Sequence, residues 1–142
     1  MTVVTGKARL GALLLAILAV ASTAASCAKD RKTGPSGPPF TQTINGSVGV
    51  FGLTNHTFTS DRRGVATVTL TWSTAAVDLD FYATDPGCTN PFLCNTHAFS
   101  EVGGTSIERL IFGVTKDQSI KVWVQHFSGV AQNYSISISI QE

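Results

Sequence analysis

From Phe40 onward, apolar and polar side chains alternate with a period of two residues. Val68, Leu70 and Trp72 alternate with Thr67, Thr69 and Thr71, and Val77, Leu79 and Phe81 with Asp78, Asp80 and Tyr82. Ile120, Val122 and Val124 alternate with Lys121, Trp123 and Gln125, and Tyr134, Ile136, Ile138 and Ile140 with Ser135, Ser137 and Ser139. Successive side chains of a strand point to opposite faces, so each run predicts a strand with one buried and one wet face. Further strands are predicted over 43–53 and 107–114, with a short one over 56–60. Asp61-Arg-Arg-Gly64, Asp85-Pro-Gly87, Gly103-Gly104, Thr115-Lys-Asp-Gln118 and Ser128-Gly129 carry turn chemistry between them. Seven or eight short strands at this spacing predict an all-β fold, an antiparallel β-sandwich over 41–142. The run from Tyr134 to Ile140 is so regular that it is expected inside a sheet, because an exposed edge of that kind would pair with another chain.

The N-terminal residues follow a different pattern. Lys7 and Arg9 precede an uncharged run, Leu10 to Ala21, and small residues lead from it to Cys27. This is the layout of a secretory signal peptide over 1–26, and the apolar run is shorter than the roughly 20 residues a membrane-spanning helix needs. Ala24-Ala25-Ser26-Cys27 resembles the lipobox of bacterial lipoproteins. That resemblance implies a lipid on Cys27, which becomes the mature N-terminus and ties the protein to a membrane. The lipobox family usually has leucine where Ala24 stands, and ordinary cleavage releasing a soluble secreted protein is the alternative. Residues 28 and 29 are Ala and Lys, without the aspartate that holds some lipoproteins at the inner membrane, which points to the outer membrane. Residues 27–40 are charged and rich in Gly and Pro, and are expected to form a flexible tether.

Charge narrows the partners. Residues 40–142 hold Arg62, Arg63, Arg109, Lys116 and Lys121 against eight carboxylates, with no cluster of cations, which argues against nucleic acid. Cys88 and Cys94 bracket five residues in a predicted loop and are expected to form a disulfide in an oxidising compartment, which leaves Cys27 over. A metal pair is the alternative, but His97 is the only histidine close in sequence and zinc wants four such ligands.

With the strands in place, the region from about Thr57 to Ile140 resembles the bacterial pre-peptidase C-terminal (PPC) domain, whose relatives include collagen-binding domains. The residues that carry this are Val68-Thr-Leu-Thr-Trp72 followed by Val77-Asp-Leu-Asp-Phe-Tyr82, then Glu108-Arg-Leu-Ile-Phe112, Ser119-Ile-Lys-Val-Trp-Val124 and the closing Asn133-Tyr-Ser-Ile-Ser-Ile138. Asp117-Gln-Ser-Ile120 stands where the family often has Gly-Thr-Tyr-Tyr, and the loop from Cys88 to Cys94 is an insertion. The resemblance implies a non-catalytic, jelly-roll-like sandwich that binds, solubilises or positions something. Some collagen-binding relatives hold calcium through acidic residues leading into the sandwich, whereas residues 34–60 here contain no Asp or Glu.

Three sets of residues are candidates for chemistry. Asp78 and Asp80 share one face of a strand about 6.6 Å apart and could hold calcium; the alternative is a polar outer face bonded to a neighbouring turn. No other cofactor is expected. Trp123 alternates against Val122 and Val124, on the face of Lys121, Gln125 and Phe127. An outward tryptophan among polar side chains offers a flat ring to sugars or peptides. The alternative is that the tether or the cysteine loop folds over it as a secondary core. Trp72 shares its face with Val68 and Leu70 and is expected in the core. No nucleophile elbow, zincin helix or phosphate loop is present, and Asp78 and Asp80 lie side by side rather than across a cleft, so an enzyme is not expected. Two functions remain: an envelope-anchored module binding a polysaccharide or protein, or a structural component of an envelope or secreted complex.

Overall fold

A computed structural model describes residues 37–142; the expected signal peptide, Cys27 and the expected tether up to residue 36 lie outside the described residues. Eight strands follow one another: β1 (Phe40–Val48), β2 (Leu53–Thr59), β3 (Gly64–Trp72), β4 (Asp78–Thr84), β5 (Thr96–Ser100), β6 (Ile107–Val114), β7 (Ser119–Ser128) and β8 (Gln132–Gln141). They form two antiparallel four-stranded sheets, β1-β8-β3-β6 (the first sheet) and β2-β7-β4-β5 (the second). This is the jelly-roll order, in which every connection crosses between sheets except β4–β5. β8 lies between β1 and β3 and pairs with both, Ile138 standing opposite Gln42 on one side and Val68 on the other. The strand expected to need an interior position has one.

Alternation builds the core. Val68, Leu70, Ile136, Ile138, Ile140 and Leu110 from the first sheet meet Leu79, Phe81, Ile120, Val122 and Val124 from the second, all buried. Trp72 joins them and donates its indole N–H to the carbonyl of Val77 at 3.0 Å. Tyr134 crosses under β1 at Gly46, where a side chain would run into its ring, and its hydroxyl bonds His56 Nε2 at 2.7 Å.

Two strand boundaries differ from expectation. The strand predicted over 43–53 is two strands, broken by a turn closed from the Gly52 N–H to the Gly49 carbonyl at 2.9 Å. The periodicity continues across it because β1 and β2 are both amphipathic, and only the glycines mark the break. β5 was not anticipated: Thr96–Ser100 is short and mostly exposed, so it carries almost no alternation.

The chain order also sorts the connections. β1–β2, β3–β4, β5–β6 and β7–β8 lie at one end of the sandwich, called the apex below. β2–β3, β4–β5 and β6–β7, with the point where the chain enters β1, lie at the other.

Candidate functional site: a disulfide-stapled loop on the second sheet

The outer face of the second sheet collects most of the residues singled out from sequence. Asp78, Asp80, Tyr82 and Thr84 come from β4, and Lys121, Trp123, Gln125 and Phe127 from β7. Registers Tyr82↔Trp123 and Asp80↔Gln125 place them side by side. Phe99 of β5 stands opposite Tyr82.

Over this face lies the β4–β5 loop. Cys88 and Cys94 are disulfide-bonded, with Cα atoms 6.1 Å apart. Inside the ring, Asn90 organises a turn: its side chain accepts from the Phe92 N–H at 3.0 Å and its carbonyl from the Leu93 N–H at 3.0 Å. Lys121 Nζ donates to the Cys88 carbonyl at 2.7 Å and sits 5.4 Å from the centre of the Trp123 ring. A cation thereby fastens the loop to the sheet, and the covalent ring fixes the loop's own shape.

Trp123 faces outward from the main core, and of the two readings offered for it the structure shows the covered ring rather than the open one. It is only 5% exposed, buried with Tyr82 and Cys88 in a small second cluster against which Cys94 packs. Its indole N–H donates to Thr84 Oγ1 at 2.9 Å, so the one polar atom of the ring is satisfied inside the protein. The cysteine loop provides the cover. Of the four side chains expected to meet a ligand, Lys121 is engaged by the loop, Gln125 has a buried side-chain oxygen, and Phe127 stays partly exposed.

What the loop hides beneath it replaces above. Leu93 is 84% exposed and Phe92 53%, the latter meeting Tyr82 edge-on with ring centres 5.4 Å apart. Phe99, 63% exposed, flanks Tyr82 from β5. Phe92, Leu93 and Phe99 were not recognised from sequence as surface residues, because apolar residues in a loop and a short strand look like core. The signal available was the disulfide itself: a ring closed by five intervening residues is too small to bury what it carries.

Toward the apex this face becomes acidic. Tyr82 Oη donates toward Glu101 Oε1 at 2.9 Å and Asp80 Oδ2 at 3.1 Å. The phenol has one proton, so both contacts form together only when a carboxyl is itself protonated. Burial, with Asp78 and Glu101 nearby, pushes Asp80 up to about 6. Glu108, buried and accepting from the Val102 N–H at 2.7 Å, is pushed up to about 7 by desolvation first and by Asp80 and Asp78 after it. Asp78 Oδ1 and Glu108 Oε2 are buried without a hydrogen-bond partner. Among the described residues, no three His, Cys, Asp or Glu side chains gather so as to hold a metal ion.

No protein-family model matches the chain, and no curated relative does. Solved structures do resemble it. PliG of Aeromonas hydrophila, a periplasmic lysozyme inhibitor of g-type lysozyme, matches with a TM-score of 0.55 at 16% identity over 72% of this chain and 88% of its own. The Yersinia pseudotuberculosis-derived mitogen matches with a TM-score of 0.54 at 14% identity over 72% and 87%. The pre-peptidase C-terminal domain of collagenase from Bacillus anthracis matches with a TM-score of 0.53 at 14% identity over 68% and 87%. At such identities the likeness concerns the fold alone: this chain has the PPC-like β-sandwich fold anticipated from its strand order.

Proposed function

We propose that the protein is a non-catalytic binding module, exported and held at the cell envelope by a lipid on Cys27, whose stapled loop engages a protein ligand. The observation that carries this reading is the braced pair Phe92–Leu93. Large apolar side chains exposed on a loop fixed by a disulfide, an Asn turn and a lysine lose little freedom on binding, which is the property of an interface anchor. The fold is shared with a lysozyme inhibitor, which supports a protein as the class of ligand.

A neutral polysaccharide is the second reading, favoured by a different feature. A shallow groove of about 590 Å³ on the first sheet is lined by uncharged hydrogen-bonding groups, among them Asn45, Ser47, Thr71, Asn133 and Ser135.

Binding to a g-type lysozyme, measured by surface plasmon resonance, and co-sedimentation with insoluble peptidoglycan separate the two. A protein complex weakened at least about tenfold by Leu93→Asp supports the loop. Sedimentation lost in Asn133→Ala but unchanged in Leu93→Asp supports the groove. The anchor has its own test, the intact mass of the mature protein: acyl chains on Cys27 and no free thiol are expected. A mature chain that keeps Cys27 unmodified contradicts it.

A further inference from the structure

The apex carries a feature that neither the loop nor the groove uses. Phe51, at the tip of the β1–β2 turn, has a backbone φ of 55° and is 79% exposed. A bulky side chain in the left-handed region is strained, and that position of such a turn ordinarily belongs to Gly or Asn. Nothing packs on the ring to offset the strain, yet the turn is well braced. Gly52 N–H closes it on Gly49, and the Gly52 carbonyl accepts from the His126 N–H of β7 at 3.0 Å. An aromatic ring that costs stability and is held out rigidly into solvent is explained by what it meets there.

Topology supplies its surroundings. Val50 beside it, Val102 of the β5–β6 connection and Val130 of the β7–β8 connection are also exposed at this end. The cations are sorted as well. Asp78, Asp80, Glu101 and Glu108 lie at the apex ends of β4, β5 and β6, with Asp80 and Glu108 buried, whereas Arg62, Arg63, Lys116 and Lys121 lie at the opposite end beside Asp61, Asp85, Asp117 and Glu142. Arg109 is the exception among the described cations and points from the outer face of the first sheet.

We infer that the apex is a second interaction surface, for a basic protein whose surface has an apolar pocket that takes the Phe51 ring. An apolar tip backed by carboxylates complements a cationic partner in both respects. A bilayer is the wrong occupant, since membrane-inserting segments surround their apolar residues with Lys and Arg rather than carboxylates. A second copy docking tip to tip would bring like charges together.

The test uses the full chain and a synthetic amphipathic Leu/Lys peptide as a stand-in for a basic apolar surface, with the matching Leu/Glu peptide as control. The Leu/Lys peptide is expected to bind, and to weaken severalfold between about 0.05 and about 0.3 M salt. Phe51→Asn is expected to weaken it at least about tenfold while raising the melting temperature by roughly 4 °C, because Asn relieves the left-handed strain. A structural role for Phe51 gives the opposite sign of melting shift. Leu93→Asp leaves this binding unchanged, so failure of the apex and failure of the stapled loop are told apart. The inference is overturned if the Leu/Lys peptide does not bind, binds Phe51→Asn equally, or binds no better than the Leu/Glu peptide. It is also overturned if the chain floats with zwitterionic or anionic vesicles in a way that Phe51→Asn abolishes, or sediments as an oligomer that Phe51→Asn dissolves.

Discussion

The two outer faces of the sandwich began as the same sequence pattern and ended as different surfaces. On the first sheet, Thr41, Thr43, Ser137, Ser139, Thr67 and Thr69 line up across β1, β8 and β3, directly opposite one another, and stay at the surface. On the second, the equivalent positions hold Tyr82, Thr84 and Trp123, and all three are buried. The difference is an 11-residue connection between Thr84 and Thr96, which folds back over the second sheet and is pinned there. Alternation assigns a residue to a face; whether that face meets water depends on connections that alternation does not describe.

The sharpest way to break this comparison is to remove one residue from each face. Trp123→Ala deletes a buried ring and its bond to Thr84, and is expected to cost about 3–5 kcal/mol, read by chemical denaturation. Thr69→Ala, in the hydroxyl rows of the other face, is expected to stay within about 0.5 kcal/mol. Equal effects would mean that the loop does not cover Trp123 in solution.

A smaller effect comes from opening the staple. Replacing Cys88 and Cys94 together by serine is expected to cost about 2 kcal/mol by the chain-entropy estimate for so short a ring. The emission of Trp123 should move to the red as water reaches it, while Trp72 stays buried in the main core. Unchanged emission would show that packing alone holds the loop.

Smaller again is the acidic end of the covered face. Asp80 and Glu108 have folded values raised to about 6 and about 7, so the folded protein binds more protons than the unfolded chain across that window. Their contribution is complete below the ordinary carboxylate range and is lost as pH rises through 6 to 7. His56 opposes this on the acid side, because burial lowers its value and its protonation below 6.5 favours unfolding. Glu108→Gln keeps the acceptor for the Val102 N–H and removes the charge. It is expected to add roughly 1 kcal/mol at pH 8, about 4 °C in melting temperature, and to flatten the decline between pH 5 and 8. A loss of stability at pH 8 would mean that the Glu108 carboxylate has a partner the structure does not give it.

Much of the fold was legible because the strands are amphipathic. β3, β4, β7 and β8 were readable from Val68, Leu79, Val122 and Ile136 and their neighbours, and so was the interior place of β8. The PPC-like order followed from the same residues. β5 was not legible, since an edge strand with mostly exposed side chains has no face to mark. The site was half legible. The disulfide, the outward direction of Trp123 and the shared face of Asp78 and Asp80 could be read from spacing. That Trp123 is covered stood only as one of two readings, and the approach of Glu101 and Glu108 to Asp80 could not be read, because these depend on how the β4–β5 and β5–β6 connections fold across the sheet. Phe51 was hidden inside what read as one continuous strand, and only its positive φ reveals it.

The claim that the covered face presents the ligand surface is tested most directly by placing a photo-cross-linking amino acid at position 93 and, separately, at position 133, in the full chain in intact cells. One discrete covalent adduct to a single protein from position 93, and none from position 133, is the predicted result. Adducts of similar yield from both positions, or from position 133 alone, would contradict the account.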